Sequence, residues 1–291
     1  MASQTLRPHR SPSPGPAPST PTLPGQPAKL TRQSLGPPTA SSGAVKGFGS
    51  LGVASLLMVT GCSKQLHPTQ KDFQQYHINK DVQADPTVVS IYEPFKQKME
   101  AEMNRVIGHA DKALTKEKTP ETLMGNFFCE ALLWMSEHYA HNPADLAFAT
   151  KGGIRNDLKA GNITIGHIFE VMPFENTLTI LELKGSQIRQ LADYIAATHG
   201  QPIAGMTLTI TDNKAKDVKI KGQPIDDNKL YKLVTYDYLA NGGDNLVVLT
   251  QSVSRTNYTQ RMREGLIGYV SELTKAGKQV NAELDGRIKI N

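Results

Sequence analysis

Cysteine is almost missing from this chain. Two Cys in 291 residues, Cys62 and Cys129, exclude a disulfide-framework protein and a Cys-built zinc finger. Acidic residues are absent from positions 1–61, which carry five cations: Arg7, Arg10, Lys29, Arg32 and Lys46. The formal charge of +5 therefore lies wholly in that segment, and residues 62–291 balance their basic and acidic groups. Nucleic-acid binding calls for a concentrated cationic face. Nothing in the balanced body points to nucleic acid as a partner. A long apolar run is lacking too. The longest uncharged, apolar-rich stretch, Gly47–Gly61, has fifteen residues, and a bilayer span needs about 20.

What is there divides into four parts. Residues 1–44 hold ten of the 18 prolines, among Ser, Thr, Gly and Gln. Such a stretch cannot bury enough surface to offset chain entropy, so it is expected to be disordered. Residues 45–61 place Lys46 before the uncharged run and end in Val59-Thr60-Gly61-Cys62. A cation, a short apolar run and a small residue before Cys is the order of a signal peptide. The end of the run resembles the lipobox of bacterial lipoproteins. That resemblance implies cleavage before Cys62 and lipidation of its thiol, which would hold the protein at the membrane of the cell envelope, facing periplasm or exterior. A translation start at Val45 is one account of the 44 residues ahead. Residues 62–85 read as a polar tether.

The body, 86–291, alternates between helical and strand patterns. Val88, Val89, Ile91, Tyr92, Phe95, Met99 and Met103 recur at helical steps, with Pro94 placed to kink or restart the helix. A strand is predicted over Val106–Ala113. A strong helix follows, with Thr119 as N-cap and Pro120 at its first position, running to about Tyr139. Further strands are predicted at Leu146–Thr150, Thr177–Leu183, Met206–Thr211, Val218–Lys221, Tyr231–Tyr238 and Gly286–Asn291. Helices are predicted at Gly185–Thr198 and Gln260–Thr274. Strands adjacent in sequence argue against a purely parallel sheet. The fold class is α+β, a single domain with mixed sheets covered by helices.

Some residues suggest chemistry on their own. Gly152-Gly153 at a strand end lets backbone approach a ligand closely. Arg155 can offer its planar fork of donors to phosphate or carboxylate oxygens, or can be a solvated surface Arg. Asp244, after a Gly pair, can accept from adjacent sugar hydroxyls or form an Asx-turn or helix cap. Tyr238 can stack on a ligand or simply pack in its strand. His138 and His141 near a helix end read as a polar terminus, since no carboxylate-rich cluster accompanies them. Cys129, between Phe128 and Glu130 in a helix, reads as core.

Four stretches in order carry a resemblance. They are Met124-Gly125-Asn126-Phe127; Gly152-Gly153-Ile154-Arg155-Asn156-Asp157 continuing to Thr164; Val171-Met172-Pro173-Phe174-Glu175-Asn176-Thr177 leading to Glu182-Leu183-Lys184-Gly185; and Tyr231–Thr235 with Tyr238-Leu239-Ala240-Asn241-Gly242-Gly243-Asp244. Together, over about 86–291, they resemble the C-terminal, substrate-binding domain of the 5′-nucleotidase family. The resemblance implies binding of a nucleotide or nucleotide-sugar. Arg155, supplemented by Lys151, would meet the phosphate side, Tyr238 would stack on the base and Asp244 would hold the ribose. Gly152, Gly153, Asn176, Gly242 and Gly243 would complete the site.

The chain also departs from that family. Its strand before the glycines ends in Ala149-Thr150 rather than in Asn, and Asn245 follows Asp244 where Gly is common. The second aromatic of the base clamp should fall near 200–206, and no aromatic stands there, which implies a one-sided clamp. The family's catalysis lies in a separate N-terminal metallophosphatase domain whose Asp-x-His and Gly-Asn-His clusters hold two metals, and neither motif occurs in this sequence. No cofactor or metal is therefore expected in this chain, and no catalytic residue. Divalent metals are expected in a separate metallophosphatase partner. The resemblance implies nucleotide catabolism by a phosphate-ester hydrolase in two chains. The competing reading is a non-catalytic nucleotide-binding lipoprotein of the envelope.

Overall fold

The structure, a computed structural model, describes Asn79 and residues 82–291. The expected Pro-rich segment, signal peptide, lipidated Cys62 and most of the tether lie outside the described residues. Seven α-helices and eleven strands follow one another from Pro86 onward. Helices and mixed sheets alternate along the chain, as expected of the α+β class with mixed sheets.

Helix α1 spans Pro86–Met103, with Asp85 as its cap: one carboxylate oxygen accepts from the N–H groups of Thr87 and Val88. Pro94 lies inside without ending it. Among the described residues nothing buries the predicted apolar face, and Ile91 and Phe95 are 66% and 71% exposed. Periodicity reports which residues share a face, not what packs on it.

Strand β1 (Val106–Ala110) pairs antiparallel with β3 (Gly161–Thr164). Between them come α2 (Leu123–His138) and β2 (Leu146–Phe148). The cap of α2 is Thr122, whose hydroxyl accepts from Gly125 N–H at 3.0 Å. The predicted cap, Thr119, is corrected here: its hydroxyl is spent on the Glu121 carbonyl, 2.7 Å away. Pro120 accordingly falls in the turn before the helix. Of the apolar face that the sequence outlines, Phe127, Phe128, Ala131, Leu132 and Met135 are buried, while Leu123 is half-buried.

Cys129 lies fully buried on that helix, and desolvation pushes its thiol well above the ordinary range. A thiol held protonated and out of solvent is inert. In a Cys62→Ser background, DTNB is expected to leave native Cys129 unmodified for hours and to react at once after denaturation. Rapid reaction of the folded protein would contradict this placement.

The rest of the chain builds two larger sheets. Helix α3 (Ile165–Val171) precedes β4 (Thr177–Lys184), α4 (Gly185–Ala197), β5 (Ile203–Ala204), β6 (Met206–Thr211), β7 (Lys214–Ile220), β8 (Gln223–Pro224) and β9 (Leu230–Tyr236). After short helices α5 (Asp237–Ala240) and α6 (Val247–Thr250) come β10 (Ser254–Arg261), α7 (Met262–Lys275) and β11 (Ile288–Ile290). The five-stranded sheet has the order β10-β4-β9-β2-β5, and the four-stranded sheet has the order β11-β6-β7-β8. In the former, β2 and β9 are parallel while the other pairs are antiparallel.

Strand β9 explains its own central place. Leu233, Val234, Thr235 and Tyr236 are buried in succession, so both faces are covered, as an unbroken apolar run requires. Strand β10, by contrast, reads Ser254-Arg255-Thr256-Asn257-Tyr258-Thr259-Gln260-Arg261 and forms the sheet's polar edge. Edge strands are kept from pairing with other chains by such residues. Its lack of apolar alternation is why the sequence pattern does not reveal it.

Candidate functional site

The register of the five-stranded sheet brings three distant segments together. Leu146 faces Leu233 across the parallel pair β2/β9, so both strands end on the same side of the sheet. Strand β4 runs antiparallel to β9, with Leu178 opposite Tyr236. The residues just before β4 therefore meet those just after β9. Ligands of sheets with parallel strands gather at such carboxyl ends. Here the edge carries a cleft of about 370 Å³.

Six residues of the predicted site line it: Gly152, Gly153, Arg155, Asn176, Tyr238 and Asp244. Tyr238, Tyr236 and Phe174 supply its rings. Arg155 is anchored by its own backbone N–H on the Val171 carbonyl, at 2.8 Å. Its Nη1 donates to the Gly152 carbonyl at 3.0 Å, and the guanidinium lies 6.0 Å from the centre of the Phe174 ring. That grip uses one N–H of five, leaving donors for an anion.

Glycine is required at Gly153 in this wall and at Gly243, which like Gly242 does not itself line the cleft. A Cβ on Gly153 would stand 2.2 Å from the Tyr236 hydroxyl, and one on Gly243 would stand 2.4 Å from the Tyr238 ring. Gly242 adopts the left-handed φ of 87° that turns the chain after α5. Tyr238 is not on a strand, as predicted, but on α5. The Asp237 carboxylate accepts from the N–H groups of Thr177 and Tyr238, which fastens this short helix to β4. Tyr238 is thus half-exposed over the cleft.

Asp244 is gripped on both carboxylate oxygens. Thr150 Oγ1 donates to Oδ2 at 2.6 Å, and the Tyr238 hydroxyl donates to Oδ1 at 3.0 Å. Tyr236 lies behind, and burial pushes its phenol up to about 12. A neutral phenol is therefore what the cleft's floor presents at any physiological pH.

Two expectations need correction. Lys151 does not reach the cleft: its Nζ donates to the carbonyls of Thr119 and His199, at 2.8 and 3.3 Å, and desolvation lowers its pKa. The cleft does hold a second exposed ring, but not from residues 200–206. It is Phe174, 39% exposed, from the Pro173-Phe174 stretch. Its carbonyl accepts from buried Arg263 at 3.2 Å, and Arg263 also pairs with Glu175 and lies 4.1 Å over the Phe169 ring. Arg263 beside Glu175 holds that carboxyl below the usual carboxylate range. The resemblance puts the ring after α4, whereas sheet register supplies one ahead of β4. Thr150, on the Asp244 carboxylate, and Tyr236, in the cleft wall, also belong to the site without a sign in the sequence pattern. A hydroxyl at a buried strand end carries no periodic signal.

Among the described residues, no group of three or more His, Cys, Asp or Glu comes together in a way that could hold a metal. The side chains that meet here are an arginine, exposed rings and a carboxylate. They can bind an anionic, ring-bearing, hydroxylated ligand.

The fold and cleft define a mixed α/β domain with a cleft at the carboxyl ends of β2 and β9. Residues 106–251 match the family model described as 5′-nucleotidase, C-terminal domain, which covers half of the chain, and the chain belongs to that family. It is 29% identical over 238 residues to the trifunctional nucleotide phosphoesterase protein YfkN of Bacillus subtilis, covering 73% of this chain and 16% of that protein. It is 26% identical over 218 residues to protein UshA of Escherichia coli, covering 70% and 36%. A 5′-nucleotidase precursor of Thermus thermophilus superposes with a TM-score of 0.60 at 27% identity, over 70% of this chain and 43% of the other. The chain thus spans less than half the length of these relatives and is related to such hydrolases through their C-terminal domain.

Proposed function

We propose that this chain is the nucleotide-recognition part of a 5′-nucleotidase-type hydrolase that works with a separate metallophosphatase chain. One observation carries the reading. Arg155, the rings of Phe174 and Tyr238, and the Asp244 carboxylate line one cleft although they come from three separate stretches. Phosphate, base and ribose ask for these three chemistries: a cationic fork, π-faces and a double acceptor. The relatives' names, which speak of nucleotide phosphoesterase and 5′-nucleotidase activities, support the same ligand class. With rings from both β4 and β9 sides, the clamp need not be one-sided, and base stacking is worth about 1–3 kcal/mol per base.

Calorimetry with AMP tests the reading. Removing a hydrogen bond to a charged group costs about 1.5–3 kcal/mol, so Arg155→Ala is expected to weaken AMP binding roughly tenfold or more. Equal affinity of variant and wild type would move the phosphate elsewhere.

In this reading the protein is held in the cell envelope by a lipid on Cys62. The support is the order of Lys46, apolar run, Gly61 and Cys62. Palmitate labelling is expected in the wild type and not in Cys62→Ser. Undiminished labelling of the variant would reject the anchor.

A further inference from the structure

We propose that Thr150 is a positioning residue: it aims the Asp244 carboxylate so that both oxygens accept from the two neighbouring hydroxyls of a ligand's cis-diol, and so makes the cleft selective for ribonucleotides over deoxy analogues. The inference rests on the nucleotide reading above. Asp244 sits at φ 54° and ψ 30°, between Gly242 at φ 87° and Asn245 at φ 62°. L-residues enter that left-handed region at a cost and stay there when their surroundings over-determine them. Three hydroxyls do so here. Tyr194 donates to the Asp244 carbonyl at 3.1 Å, Tyr238 to Oδ1 at 3.0 Å and Thr150 to Oδ2 at 2.6 Å.

These three do not share one role. Tyr238 lines the cleft and can touch a ligand directly. Thr150 is 2% exposed, with the Tyr236 hydroxyl 3.4 Å from its own. It acts on a ligand only through Asp244. An ionised carboxylate has about four lone-pair sites. Thr150 takes one on Oδ2 and Tyr238 one on Oδ1, which leaves an acceptor site on each oxygen. Two adjacent hydroxyls can use both sites together, and a deoxy sugar cannot. Without Thr150 only the half-exposed Tyr238 holds the carboxylate, Oδ2 loses its fixed direction, and the paired presentation is lost.

The test is calorimetry of the full chain with AMP and with 2′,3′-dideoxy-AMP. The wild type is expected to prefer AMP by tenfold or more. Thr150→Val, which keeps the shape and drops the hydroxyl, is expected to lower AMP affinity about tenfold while leaving dideoxy-AMP binding unchanged. Thr150→Ser is expected to restore the preference. Loss of both ligands in equal measure, or of neither, overturns the assignment. Should Thr150→Val not fold, Tyr194→Phe removes the bond to the same residue's carbonyl from a more exposed side, and an unchanged AMP preference there counts against the proposal. A wild type that binds both nucleotides equally overturns diol selection while leaving the nucleotide reading intact. A wild type that binds neither overturns that reading and this one together.

Discussion

Purified alone and supplied with Mn²⁺ or Zn²⁺, the chain is expected to release no phosphate from AMP, ADP or UDP-glucose. With a separate metallophosphatase domain added in trans, turnover is expected to exceed that of the added domain alone. The argument is one of magnitude. Uncatalysed phosphate-ester hydrolysis is among the slowest biological reactions, and its catalysts supply very large barrier reductions. Positioning by Arg155, Phe174, Tyr238 and Asp244 would orient a nucleotide but would generate no attacking hydroxide. In two-metal hydrolases the ions perform that step and stabilise the leaving oxygen. The described residues offer no ligand cluster for such ions, and the sequence contains neither Asp-x-His nor Gly-Asn-His. Arg155→Ala should then depress the trans-activity mainly through KM, because it weakens binding rather than chemistry. Metal-dependent turnover by this chain alone, with contaminating phosphatases excluded, would reject the two-chain reading.

Legibility in the sequence followed the kind of signal each element carries. Helices α2 and α4 have amphipathic periods that mark their bounds to within a few residues. Strands β4, β6 and β9 combine β-branched and aromatic residues with turn signals, and their bounds also came close. Strand β10 was hidden because an edge strand with polar faces has no alternation to read. Strand β3 and helix α3 are four and seven residues long, too short for a period to develop. The site divides in the same way. Arg155, Asp244 and the glycines sit in turn motifs whose composition is itself the signal. Phe174 enters the cleft through the register of β4 against β9, and Thr150 supports it from a buried strand end. Both depend on tertiary placement. Lys151 shows the opposite error: a cation next to a Gly pair invites a phosphate role, yet two carbonyls from other segments take its amine.

The second large effect concerns the end of the chain. Replacing Arg287 should destabilise the domain more than any surface substitution. Arg287 is 9% exposed, and all three of its guanidinium nitrogens are engaged. Nη2 pairs with Asp285 at 2.8 Å and with Glu130 at 3.0 Å, while Nη1 donates to the Ile203 carbonyl at 2.8 Å. Glu121, itself 9% exposed, lies 4.0 Å from Nε and accepts from Asn126 Nδ2 and from the Asp285 N–H. This cluster ties β11 to the start of α2 and to β5. Removing one partner of a buried charge network costs roughly 3–5 kcal/mol. Asp285 and Glu130 are half-exposed and can rehydrate, so Arg287→Met is expected near the lower end, about 3 kcal/mol. At roughly 2–4 °C per kcal/mol for a domain of this size, the melting temperature should fall by about 6–12 °C. Glu121→Gln keeps an acceptor for Asn126 and Asp285 but removes the stranded charge. The double variant should therefore recover part of the loss, the coupling expected of residues in one network. Acid gives an independent check. The hydrogen bond from Arg287 holds the Asp285 carboxyl below its ordinary value. A depressed carboxyl contributes stability that is present above its unfolded value of about 3.9 and is lost as pH falls through the lower folded value. Wild-type stability should drop in that acidic window, and Arg287→Met should flatten the drop. A variant that melts like the wild type at neutral pH and loses stability in acid just as steeply would show that the cluster does not hold the C-terminal strand in place.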